Sequence, residues 1–166
     1  LAGKKYNCSI MELLGGNRNK ILAYASTMGG DREKNGLSCP EAYADFAEEC
    51  IEMGYKAYKM HGWKEGNVEE EKEMLKAVGN RVAGKIKIMY DSACHLSTLA
   101  DALEIGRICD DYGFYWYEDP YKDGGVSIQG NRTLSQNLST PILIGEHIRN
   151  FETSVDLILN GASFFS

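Results

Sequence analysis

Short apolar runs alternate along the chain with longer segments of helical period, and a turn signal separates almost every pair. Residues 21–26, 55–61, 85–91, 114–118 and 141–146 read as strands, and residues 162–166 as the opening of a sixth. Between them, residues 38–53, 67–82, 98–112, 131–138 and 151–159 read as helices. Ser38, Pro40 and Glu41 carry helix-start signals. In that helix Ala42, Phe46, Ala47, Cys50 and Met53 fall on one stripe, with Glu41, Asp45, Glu48, Glu49 and Glu52 left for water. The next helix starts acidic, at residues 68–73, and ends basic, as the helix dipole favours. Leu99, Ala102, Leu103, Ile105, Gly106 and Cys109 form the expected packing side of the third. Residues 28–36 and 119–130 are Gly-containing polar loops, and residues 10–14 could form one helical turn before Gly15 and Gly16.

Strict alternation of strand and helix, with strands that lack a polar face, predicts parallel strands covered by helices. No Gly-x-Gly-x-x-Gly follows a strand, so a dinucleotide-binding open sheet has no support. The expected fold class is α/β, a partial TIM-type (β/α) barrel of about five βα units plus the start of a sixth strand. A full eightfold barrel typically needs about 250 residues, with its site at the C-terminal ends of the strands. Residues 1–20 are expected to be a linker from a capping domain, and residues 21–166 an incomplete barrel domain. The chain has no initiator Met, and is expected to be a fragment that begins in mid-protein.

Composition narrows the partners. A chain of 166 residues, 43% hydrophobic, can bury one sizeable core. The net charge of -6, without a Lys/Arg-rich cluster, argues against nucleic acid and anionic membrane, and no apolar run reaches membrane length. The cysteines (8, 39, 50, 94 and 109) are odd in number and lack metal-type spacing. A reduced, cytoplasmic protein is expected.

Three successive apolar runs each deliver one acid at the C-terminal end: Asp91, Glu118 and Glu146. At equivalent heights on neighbouring strands, three carboxylates repel unless a cation neutralises them. Oxygen donors favour magnesium, with manganese as the alternative. For any single acid of this kind, a solvated loop residue or a helix cap is an equally good account. Lys59 and His61 share a face of the preceding strand and are candidate catalytic bases. His95 and His147 also lie just past strand ends. His147 follows Glu146 directly and suits substrate binding better than proton transfer. Asp119 and Asp123 read as loop residues or as partners supporting the ligands.

Taken together, Lys59-Met60-His61, the strand end at Asp91, Trp116-Tyr117-Glu118-Asp119-Pro120 and Gly145-Glu146 resemble the barrel domain of the enolase superfamily, in its mandelate racemase and muconate lactonizing branch. Leu13-Leu14-Gly15-Gly16 and the strand at Ala23-Tyr24-Ala25 are similar to that family's entry into the barrel. The order and spacing carry the resemblance, with 27 residues from Asp91 to Glu118 and 28 from there to Glu146. It implies that Asp91, Glu118 and Glu146 bind magnesium, which holds a substrate carboxylate. A base then takes the proton alpha to that carboxylate, giving an ene-diolate. The family commonly has Lys-x-Lys on this strand, with the second lysine as base, and here that position is His61. Lys59 would then tune His61 or contact the carboxylate. A second departure is Ala93, where many relatives place Asn.

Within that chemistry the preferred reading is an acid-sugar (aldonate or aldarate) dehydratase acting on a small-molecule sugar acid, because His61 departs from the paired lysines expected of two-face racemases. The resemblance implies a homo-oligomer when full length. Racemase, epimerase and cycloisomerase are alternatives that share the first step. The family's His-Asp pair on later strands and its capping domain lie outside this sequence, so the isolated chain is expected to be inactive. A barrel metallohydrolase would want a His-x-His pair, which is absent. The non-enzymatic alternative is a truncated barrel that packs on partners through open strand edges.

Overall fold

A computed structural model of the chain describes residues 1–122, 127–160 and 164–165. Two short helices, α1 (Ala2–Tyr6) and α2 (Ile10–Leu13), come first, and a capping box between Ser9 and Glu12 closes the start of α2. The strands are β1 (Ala25–Ser26), β2 (Ala57–His61), β3 (Lys87–Asp91), β4 (Trp116–Glu118), β5 (Ile142–Ile144) and β6 (Phe164–Phe165). They stand side by side in sequence order, every neighbouring pair parallel. Helices α3 (Pro40–Glu52), α4 (Val68–Val82), α5 (Leu99–Tyr112), α6 (Ile128–Asn137) and α7 (Phe151–Asn160) make the connections and pack against one another in succession. This is a partial TIM-type barrel. Among the described residues β1 and β6 do not pair, so it is open.

Side-chain alternation sorts the strand residues onto two faces. Tyr58, Met60, Ile88, Tyr90 and Tyr117 face the helices and belong to one buried core with Ala47, Leu75, Val78, Ile105 and Cys109. Tyr90 and Tyr117 stack with ring centroids 5.5 Å apart. Full burial of such side chains contributes about 1.5–3 kcal/mol each. The opposite face holds Lys59, His61, Asp91 and Glu118 at its C-terminal rim, so these strands do have a polar face, contrary to their apolar appearance in sequence.

Other differences from the sequence reading have local causes. Pro40 fixes the first helical residue of α3, so the cap falls on Cys39 rather than Ser38, in an extended conformation before the proline. The buried side of α3 is Tyr43, Ala44, Ala47 and Cys50, while Met53 ends the helix in solvent. Only Ala25 and Ser26 of the first apolar run find partners, on Tyr58 and Lys59, and Ile21 and Leu22 are exposed. Helix α6 starts at Ile128, capped by Ser127, three residues earlier than its period suggests. Helices α4 and α5 match expectation: Asn67 caps the first, Thr98 and Asp101 form a capping box on the second, and Gly113 closes it at φ 65.

Glu71, in the acidic first turn of α4, is buried. Its carboxylate accepts hydrogen bonds from the Trp63 backbone N–H (2.8 Å) and the Tyr90 hydroxyl (2.9 Å). A Cβ on Gly62 would collide with it, so the close passage of the β2–α4 connection requires glycine. Burial pushes Glu71 up to about 7, against the two donors that favour its charge. The folded chain thus holds a proton that the unfolded chain releases near 4.5. The associated stability is present below that value and is lost as pH rises through about 7. Urea unfolding should show a decline of about 3 kcal/mol between those limits, and Glu71→Gln should flatten it. An unchanged pH profile in the variant would refute this account.

Candidate active site

Parallel register sets the site. His61 lies opposite Asp91, and Asp91 opposite Glu118, so β2, β3 and β4 end level with one another. Lys59, two residues before His61 on the same face, extends its ammonium to this rim. Its Nζ donates to Asp91 Oδ2 at 2.7 Å and to Glu118 Oε2 at 2.9 Å. All three side chains are largely buried.

His61 completes the cluster from the other side of Asp91, with Nε2 2.8 Å from Oδ2. Its Nδ1 lies 2.5 Å from the carbonyl oxygen of Thr27, which can only accept, so Nδ1 donates. With a carboxylate at the other nitrogen, the ring has an acceptor on each side, which favours its protonated form. The Tyr43 hydroxyl donates to the His61 carbonyl (2.7 Å) and fixes the backbone behind it. Asp91 Oδ1 accepts the Ala93 N–H (2.9 Å), and Glu118 Oε2 also accepts the Trp116 indole N–H (3.1 Å).

The charge states follow from these contacts. The bond to Asp91 raises the His61 pKa, against burial. Burial disfavours the Lys59 ammonium, but the hydrogen bonds to Asp91 and Glu118 outweigh it and hold the lysine above its usual range. Burial likewise opposes the Asp91 charge, and the bonds from His61 and Lys59 overcome it, leaving its pKa lowered. Burial and the neighbouring Asp91 charge raise Glu118. The contacts thus favour the protonated forms of both candidate bases, so that two cations face two carboxylates in this quartet.

Glu146 stands apart. The fifth strand ends at Ile144, and Glu118 lies opposite Leu143, so Glu146 is three residues beyond the level of the other acids. The equal height read from sequence fails because the turn at Gly145, with φ 140, releases the chain before Glu146. Its side chain is 58% exposed and lies 3.6 Å from His147. His147 Nε2 faces Asp119 Oδ2 at 3.2 Å. Asp119 is itself buried, not a solvated loop acid. His95 is exposed, and Asp123 lies outside the described residues.

Sequence reasoning missed Thr27 and Trp63. Trp63 is buried, donates its indole N–H to Leu37 (2.9 Å), packs edge-on against Tyr43 and lies under Arg32. It thereby fastens the loop of residues 27–37 beside the rim. An aromatic residue just past the Lys59-Met60-His61 strand was the available signal.

Residues 42–165 match the family described as enolase C-terminal domain-like. Among curated proteins, arabinonate dehydratase of Saccharolobus solfataricus is 34% identical over 143 residues, 86% of this chain and 36% of its own length. L-talarate/galactarate dehydratase of Salmonella typhimurium is 29% identical over 99 residues, 60% of this chain and 24% of its own. The crystal structure of D-glucarate dehydratase from Agrobacterium tumefaciens, complexed with magnesium, matches with a TM-score of 0.78 at 32% identity, covering 89% of this chain and 39% of that one. The chain therefore spans well under half the length of each of these relatives.

Removing one partner of the buried quartet leaves a charge uncompensated. Lys59→Met should lower stability at neutral pH by about 3–5 kcal/mol. Adding Glu118→Gln should recover part of the loss by removing the stranded carboxylate. Urea unfolding of the single and double variants checks both, and a loss below about 1 kcal/mol, the range of a surface pair, would contradict the buried geometry.

Proposed function

We propose that this chain, which belongs to the enolase C-terminal domain-like family, supplies the proton-moving and cation-holding rim of an enzyme that dehydrates sugar acids. The proton beside the substrate carboxylate would be removed first, and the hydroxyl on the next carbon would leave. The observation that carries the reading is the Lys59 ammonium held between Asp91 and Glu118 with His61 on Asp91, all at the C-terminal ends of β2 to β4. Three relatives named as sugar-acid dehydratases support the substrate class.

A divalent cation fits this donor set. Asp91 and Glu118 present carboxylate oxygens around a position that a positive group already occupies, and hard oxygen donors suit magnesium or manganese. Asp91 and Glu118 would hold the ion, with Glu146 as third ligand from the turn after β5. When bound, it supplies Lewis-acid charge to the substrate carboxylate.

The chain's own residues do the rest. Thr27 fixes the His61 ring through Nδ1, which leaves Nε2 as the atom that carries a proton at the rim. Lys59 Nζ is the second proton carrier, level with the carboxylates. Ala93 and Trp116 hold the carboxylates in orientation, so little is lost in ordering them when the substrate arrives. The loop of residues 27–37, anchored on Trp63, limits water at the same rim.

Isothermal calorimetry with magnesium tests the reading. Saturable binding is expected for the chain, with Asp91→Asn and Glu118→Gln each weakening it by about tenfold or more. Absence of binding, or binding indifferent to both substitutions, would overturn the cation reading and with it the dehydratase assignment.

A further inference from the structure

A second group of potential ligands lies beside the quartet, on the turns that follow β3, β4 and β5. Cys94, Asp119 and His147 each offer one ligand atom, and these atoms all lie within 4.8 Å of one another. The three residues come from separate βα units, 25 and 28 residues apart, so no short motif announces them.

Asp119 supplies the independent observation. It is 1% exposed, its Oδ2 faces His147 Nε2, and its Oδ1 has no hydrogen-bond partner among the described residues. A buried carboxylate oxygen without a donor forfeits its hydration with nothing in exchange, a penalty that a ligand would remove. The backbone meanwhile holds the turns in place. Cys94 N–H donates to the Asp119 carbonyl (3.0 Å), and Asp119 N–H to the Leu143 carbonyl (3.1 Å). Cys94 and Asp119 both have positive φ, at 60 and 40.

We propose that Cys94, Asp119 and His147 form a transition-metal site of the zinc class, distinct from Asp91, Glu118 and Glu146, the carboxylates that would hold the proposed magnesium. Thiolate, imidazole and carboxylate together select zinc-like ions over magnesium. A tetrahedral ion would draw its ligand atoms to roughly 3.3–3.8 Å of each other, a contraction on the order of 1 Å at the widest pair. The fourth position is open to water. Binding releases the thiol proton and joins the three turns that follow β3, β4 and β5. The site acts as a clip on the rim, and His147 serves it in place of the substrate.

Cobalt(II) titration of the reduced, metal-free chain tests this independently of the proposed activity. One equivalent should give a near-ultraviolet thiolate-to-cobalt charge-transfer band that zinc abolishes by displacement. Cys94→Ser should lose the band, whereas Cys8→Ser and Glu118→Gln should keep it. His147→Ala, at a half-exposed side chain, should weaken zinc binding by about tenfold or more even if Cys94→Ser fails to fold. Cobalt that binds without the band, a band that survives Cys94→Ser, or binding lost only in Glu118→Gln would each overturn the site. The last result would leave the carboxylate reading intact.

Discussion

A buried ammonium between two buried carboxylates is the constraint on which the rest of this structure turns. Lys59 reaches both Asp91 and Glu118 because three parallel strands end level, and removing charge from water is tolerable only when it is matched at close range. A one-residue slip in either pairing would send one partner to the helix face, into a core of tyrosines and aliphatic side chains. Register, burial and charge balance are therefore one condition in this sheet.

The shell around the quartet reinforces that condition from below and from the side. Glu71 ties the chain just after β2 to the Tyr90 hydroxyl of β3, one residue before Asp91. The Tyr58 hydroxyl lies 3.0 Å from the Thr27 hydroxyl, and the Thr27 carbonyl accepts the hydrogen bond of His61 Nδ1–H. These contacts tie strands to the helix and loops beside them, so the position of His61 depends on residues from Thr27 to α4. These groups are polar yet lie among apolar neighbours, where a missing partner is most costly, and that favours one arrangement of the rim.

Much of this was legible in the chain. Alternating apolar runs and helical periods identified the parallel β/α order, and an acidic-to-basic charge order in α4 and a helical period in α5 located those helices closely. Lys59, His61, Asp91 and Glu118 stood out because each sits at a strand end where an apolar run turns polar. What escaped depends on contacts between distant residues. Glu71 lies in a run of three glutamates, and nothing local separates the one that turns inward from its neighbours. Glu146 follows a strand in the same way as Asp91 and Glu118, but the strand stops two residues short of it. Cys94, Asp119 and His147 meet only because successive βα units bring their turns together.

Charge arithmetic links the observed cluster to the proposed chemistry. Asp91 and Glu118 carry two negative charges, and the protonated Lys59 and His61 supply two positive ones. A divalent cation in contact with the same carboxylates carries the same charge as the two protons that make lysine and histidine cations. Either set satisfies the buried carboxylates, while both sets together leave an excess of positive charge in a poorly solvated place. Under the proposed function, the two carboxylates would thus couple cation occupancy to the protonation of the two adjacent candidate bases. That coupling is what a site needs if it is to remove a weakly acidic proton beside a carboxylate. It explains why an arrangement that stabilises the sheet as an ion-pair cluster also supports a reading as a catalytic rim.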